Sequence, residues 1–146
     1  MIPTRIASLF ILVAVAGCAD FDAPVNPYHG IPDELVANPS FADDILPILT
    51  RRCSIGGCHS LASEQSELTL TADEAYDDLV EEESEQNSLY KRVRASKPDS
   101  SWLVKLIVAD PSGRGSFARM PLLSTPLTEN QIGTIINWIA QGAQRN

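Results

Sequence analysis

RRCSIGGCHS, residues 51–60, sets two cysteines and a histidine within seven positions: Cys53, Cys58 and His59. Cys-x-x-Cys-His is the attachment signature of a c-type haem, which needs two thiols and an adjacent imidazole. Here four residues, Ser54 to Gly57, separate the cysteines instead of two. The pair Gly56-Gly57 can take backbone conformations closed to other residues, so the extra length can bulge while Cys58-His59 stays intact. Two other chemistries compete for the same residues. One is a Cys53–Cys58 disulfide closing a tight loop. The other is a metal knuckle, which zinc disfavours because it wants four ligands and no second Cys/His cluster exists in the chain.

Outward from this motif, the N-terminus fixes the compartment. Arg5 supplies a basic start, and Ile6 to Ala16 is an apolar run of 11 residues. A membrane-spanning helix needs about 20, so the run reads as the core of a secretory signal. It ends in VAGC, Val15 to Cys18, which resembles the lipobox of bacterial lipoproteins. Residues 1–17 are therefore expected to be a lipoprotein signal peptide, with lipid on Cys18 anchoring the chain to a membrane. The expected location is the cell envelope, periplasmic or on the outer surface. Export places the remaining thiols in an oxidising compartment. With Cys18 lipidated, Cys53 and Cys58 remain as an even pair, which either a disulfide or two thioethers would use.

Residues 18–39 are rich in proline and lack a sustained period, which predicts a tether. His29 falls in it and is expected to be solvated. A compact domain is expected over 40–146, about the size of one ordinary domain. The chain of 146 residues carries a formal charge of −8, and loss of Arg5 with the signal leaves ten basic residues against nineteen acidic ones. Nucleic acid is an unfavourable partner for such a surface. A charged protein partner would present a basic patch.

Hydrophobic spacing predicts an all-α domain of about five short helices. Phe41, Ile45, Leu46, Ile48 and Leu49 recur at helical spacing before Cys53, with Pro47 either in a first turn or at a kink. Thr71-x-x-Glu74 predicts a capping box ahead of Ala75, Tyr76, Leu79 and Val80. Glu81 to Gln86 is an acidic run expected to be solvated. SLYKRV (88–93) and DSSWLVKLIV (99–108) predict two further helices, the second capped by Asp99 or Ser100. Asp110 to Phe117 reads as a loop. Thr128-x-x-Gln131 predicts a second capping box, Leu127 and Ile132 a hydrophobic staple, and Gly142 the stop. Ile132, Ile135, Ile136 and Ile139 give that last helix one apolar face. Short helices bury a modest core and are marginal without tertiary packing. A large apolar group in the middle would relieve this.

If that group is haem, the iron takes His59 on one side and usually needs a second ligand. Met1 goes with the signal, and Met120 is the only other methionine, 61 residues after His59 in ARMPLL. Pro121 stiffens the backbone beside it. A His/Met pair saturates the iron and raises its potential, which favours electron transfer over chemistry at the metal. No nucleophile–base pair, phosphate-binding glycine loop or placed carboxylate pair points to an enzyme.

The stretch from Phe41 to Ala143 resembles a small class I cytochrome c domain. It is closer still to the cytochrome-c-like domains of exported planctomycete and myxobacterial lipoproteins. The resemblance rests on ILPILTRRCSIGGCHS, LTLTADEAYDDLV, RVRASKPDSSWLVKLI, RMP and LTENQIGTIINWIAQGA. It implies one covalent haem c, thioethers from Cys53 and Cys58, and axial ligation by His59 and Met120. It also implies first and last helices that cross near a haem edge, a packing role for Trp138, and redox proteins as partners. Trp102 is expected near the haem or in ordinary core. The departure from the family pattern is the four-residue spacer, which bears on recognition by the maturation machinery. The alternative is an exported lipoprotein module without haem, its cysteines joined, His59 on the surface and Met120 in the core.

Overall fold

The computed structural model describes residues 31, 33–61, 67–109 and 117–146. The signal, Cys18 and His29 lie outside them, as does most of the 110–117 loop. Among the described residues the domain is all-α. They form four α-helices, one π-helical segment and one 3-10 turn, with no strand, only three isolated bridges. No described helix is long and apolar enough to cross a membrane.

The first helical segment shows how one proline shapes a helix. Ser40 caps it reciprocally: its hydroxyl accepts from the Asp43 amide, and its own amide donates to Asp44 Oδ2 at 2.8 Å. Pro47 has no N–H to return to the carbonyl of Asp43, and its ring crowds that turn. The chain responds with a wide π turn over Phe41–Ile45, closed by amides of Ile45 and Leu46 reaching back five residues to Ser40 and Phe41. Helix α1, Leu46–Arg52, then starts with Pro47 in its first turn, where no amide is needed. Ile45, Ile48 and Leu49 are fully buried.

Two expected elements form differently. Helix α2 spans only Ala75–Leu79, and the Thr71 hydroxyl makes no capping bond; it is buried without a hydrogen-bond partner. The Thr71 carbonyl takes the Glu74 and Ala75 amides instead, so the helix is entered through a backbone turn. The expected helix over 88–93 is absent. Backbone there is committed elsewhere: the Arg92 amide donates to Glu82, and the Lys91 and Arg92 carbonyls accept from the Trp102 and Leu103 amides. Those carbonyls satisfy first-turn donors of α3, Trp102–Ile107. They do what a side-chain cap from Asp99 or Ser100 was expected to do. Pro98–Ser100 forms the 3-10 turn before it. Of the acidic run, Glu81, Glu82, Glu83 and Glu85 are exposed and Ser84 is buried.

The last helix follows its sequence closely. Helix α4, Glu129–Ala140, carries the full Thr128/Gln131 capping box. Leu127 is buried, and Ile132 packs on the core beside it. At the other end Gly142 adopts φ 104°, its amide bonds to Ile139, and the Ala143 amide reaches Trp138, a Schellman closure. Ile135, Trp138 and Ile139 are buried in one cluster with Ile45, Ile48 and Leu49. Phe41 joins the two ends, 5.1 Å from the Tyr76 ring and 5.4 Å from Trp138. The Trp138 indole donates to the Gln144 carbonyl, so the ring is buried with its polar atom satisfied.

Part of the expected tether is bound to the domain. Residues 33–37 lie along the outer face of α4 as an extended strap. Asn130, Thr134, Asn137 and Gln141, spaced at successive turns, bond to its backbone at Asp33, Glu34, Val36 and Ala37. Gly133 belongs to this fit, because a Cβ there would stand 2.7 Å from Leu35 Cδ1. Thr134 is the centre of the ladder: its hydroxyl accepts from the Val36 amide at 3.0 Å and donates to the Glu34 carbonyl. Thr134→Val keeps the shape and removes both bonds, at a cost of about 1–2 kcal/mol. Chemical denaturation should show that loss, and a glutamyl endopeptidase should cut after Glu34 faster. An unchanged midpoint and cleavage rate would show that the strap is held without Thr134.

Candidate functional site

Four residues that the sequence singles out, Cys53, Cys58, His59 and Met120, line one cavity of about 360 Å3. That lies within the ordinary range for small-molecule sites. Its walls include Leu68, Leu70, Leu103, Leu106 and Ile107, with Trp102 on one side. A second, more open depression of about 660 Å3 lies beyond Trp102, and none of the four residues lines it.

The motif loop is closed by its own backbone. Cys53 is the C-cap of α1, and its amide bonds to Leu49. Its carbonyl accepts from the His59 amide at 3.2 Å, across the whole inserted spacer. Within that ring the Cys58 amide donates to Ile55, and Gly57 sits at φ 82°, a conformation other residues rarely take. The extra length is thus absorbed as a turn, and Cys53 and His59 stay joined at its base.

His59 is oriented by a partner the sequence does not reveal. Its Nδ1 lies 3.3 Å from the Leu68 carbonyl. A carbonyl only accepts, so Nδ1 carries the proton and the ring lone pair is on Nε2. The Leu70 amide donates back to the His59 carbonyl at 2.8 Å, so the segment 68–70 grips both backbone and ring. Burial holds the imidazole below its usual value of 6.5; the Leu68 bond opposes this and the Arg92 charge adds to it. The ring is neutral at pH 7, the form that ligates a metal.

The cysteines are both free thiols in the structure. Cys53 is partly exposed as a residue, yet burial of its sulfur pushes the thiol up to about 12, with Arg52 lowering and Cys58 raising it. That environment suits a protonated thiol rather than a thiolate ligand. Among the described residues no three His, Cys, Asp or Glu groups gather as a metal site. Met120 is held by its amide, which donates to the Leu106 carbonyl at the end of α3.

Two cavity residues escaped the sequence reading. Arg52 looks like a solvated helix-end cation but is only 5% exposed. Arg92 donates to the Asp78 carbonyl at 2.8 Å while lining the cavity. Nothing in local spacing marks either; only the tertiary fold does. Trp102, left between two readings, is buried and faces the cavity, its indole donating to Gln86. Comparison with protein-family models, curated proteins and solved structures gives no significant match to any of them.

The Cys53 environment predicts its reactivity. At pH 8 a thiol near 12 is about one part in ten thousand thiolate, against roughly a tenth for an ordinary cysteine. Iodoacetamide labelling of Cys53 in the folded haem-free chain should be at least about a hundredfold slower than in the denatured chain, and should rise with pH up to 11. Mass spectrometry of the labelled peptides reads this. Equal rates in the two states would contradict the burial of its sulfur.

Proposed function

We propose that this chain is a membrane-anchored monohaem c-type cytochrome that passes single electrons between redox proteins of the cell envelope. The observation that carries the reading is the convergence of Cys53, Cys58, His59 and Met120 on one apolar cavity, from positions up to 67 residues apart. The donor set also fits. Two free thiols, a neutral imidazole with its lone pair on Nε2, and a thioether are what a covalently held His/Met haem uses.

Each residue then has a distinct task. Cys53 and Cys58 would hold the haem covalently, each thiol adding across one vinyl group to give a thioether with no atom lost. His59 would offer Nε2 to the iron, with the Leu68 carbonyl fixing the ring; such carbonyl support raises ligand basicity. Met120 would offer its thioether to the iron from the loop before α4. The leucines and Trp102 give the cavity an apolar part of its wall, which would favour electron transfer over ligand chemistry at a bound haem. A haem so held supplies a one-electron ferric/ferrous couple. Lipid on Cys18 would hold the domain at a membrane.

A pyridine haemochrome spectrum of the mature protein, expressed with c-type maturation machinery, tests the class directly. A covalent signature surviving acid-acetone extraction is expected. Absence of haem, with Cys53 and Cys58 recovered as a disulfide, would replace the reading with a haem-free binding module. Met120→Ala should leave haem attached, admit carbon monoxide to the reduced protein and lower the potential. His59→Ala should abolish stable holoprotein. A Met120 variant with unchanged potential and spectrum would remove that residue from the site.

A further inference from the structure

Arg52 stands between the two halves of the site. It ends α1, directly before Cys53, and is buried although it is charged. Its Nη2 donates to the Thr125 carbonyl and, at 3.2 Å, to the Pro126 carbonyl. Those residues follow Met120 by five and six positions and lie just ahead of buried Leu127 and the α4 cap. One side chain therefore links the helix end that carries the first thiol to the loop that carries the methionine.

The loop needs such a link. Every residue from Leu122 to Pro126 is exposed, and Leu123 is 99% so. Apolar burial does not hold it. Its upstream fixed point is the Met120 amide on Leu106, and its downstream one is Leu127 with the Thr128 cap. Arg52, itself part of the cavity lining, supplies a third point between them. A guanidinium suits this task because its planar fork fixes direction as well as distance, which a lysine cannot reproduce. Burying a cation is costly unless hydrogen bonds compensate it, so an apolar residue would be the cheaper way merely to fill the space.

We infer that Arg52 is a positioning residue: by clamping the Thr125–Pro126 carbonyls it sets where Met120 stands relative to the Cys53–His59 loop. The meaning for iron ligation rests on the proposed haem site; the clamp itself does not. The test therefore has two arms, with Arg52→Lys and Arg52→Met as variants. In the haem-free full chain, limited thermolysin digestion read by mass spectrometry should show cleavage within 121–126 at least about fivefold faster in both variants. Cleavage elsewhere should be unchanged. In haem-loaded protein, both should keep covalent haem but lose the weak red absorption of methionine-ligated ferric iron and bind carbon monoxide when reduced, Arg52→Met more than Arg52→Lys. Unchanged cleavage in the loop would overturn the clamp, as would faster cleavage spread evenly over the chain. Intact methionine ligation in a variant whose loop is cut faster would overturn the positioning role. A wild-type chain that takes no haem would sink the proposed function, while the digestion arm would still judge the clamp.

Discussion

Packing of the first helical segment against α4 is the contact on which the rest depends. Phe41 on Trp138, with Ile45, Ile48, Leu49, Ile135 and Ile139 buried in the same cluster, brings the ends of the domain together. Each such side chain contributes about 1.5–3 kcal/mol by leaving water. The tail reinforces the contact: the Ala42 amide and Ser40 hydroxyl donate to the Asn146 carbonyl, and the Phe41 amide to its side chain. The consequence reaches the cavity because of chain order. α1 runs out into Arg52 and Cys53, whereas α4 is entered from the loop that holds Met120. Fixing one helix against the other sets where these two parts of one cavity lining stand.

The cavity's chemistry follows from the same burial. Desolvation keeps His59 neutral and Cys53 protonated, and it acts through residues that have no chemistry of their own. Leu68 works through its carbonyl and Leu106 through its carbonyl, one orienting the imidazole and the other holding the methionine loop. Side-chain identity at these positions supplies the apolar wall; backbone position supplies the hydrogen bonds. The cations of the site are turned inward in a chain with a large acidic excess, Arg52 onto loop carbonyls and Arg92 onto the Asp78 carbonyl.

What could be read from sequence was local. The α4 capping box and its glycine stop both depend on residues within a turn of one another, and they form as spaced. So does the turn at Gly56-Gly57. What could not be read was long-range. The Thr71 box fails because the Thr71 hydroxyl is buried without a hydrogen-bond partner and the Glu74 amide bonds to the Thr71 carbonyl instead of to it. Residues 88–93 give up helicity because the Arg92 and Val93 amides, which a helix would return to Ser88 and Leu89, donate to Glu82 and Leu79, a competition between tertiary and local bonds that propensity does not contain. Arg52 was invisible for the same reason: its partners lie 73 and 74 residues away. The candidate residues themselves stood out by chemical type and adjacency, and only the fold brings Met120 to the other three.

The strap bears on how such a domain would be held. Its backbone is bonded turn by turn along α4, through side chains on the face opposite the buried isoleucines. Neither the strap nor α4 contributes a residue to the cavity wall. The strap therefore joins the domain on a helix that contributes no residue to the cavity wall. Under the proposed anchoring through Cys18, the pull of the membrane would reach the domain first at buried Ile31 and the strap. A tether that continued loose to Ser40 would deliver the pull to the first turn of the helical segment that leads to Cys53. Docking the strap instead moves that load onto α4, the longest helix and the one with both ends capped. The geometry separates the attachment of the domain from the loop and helix end that must hold a methionine and a thiol in register.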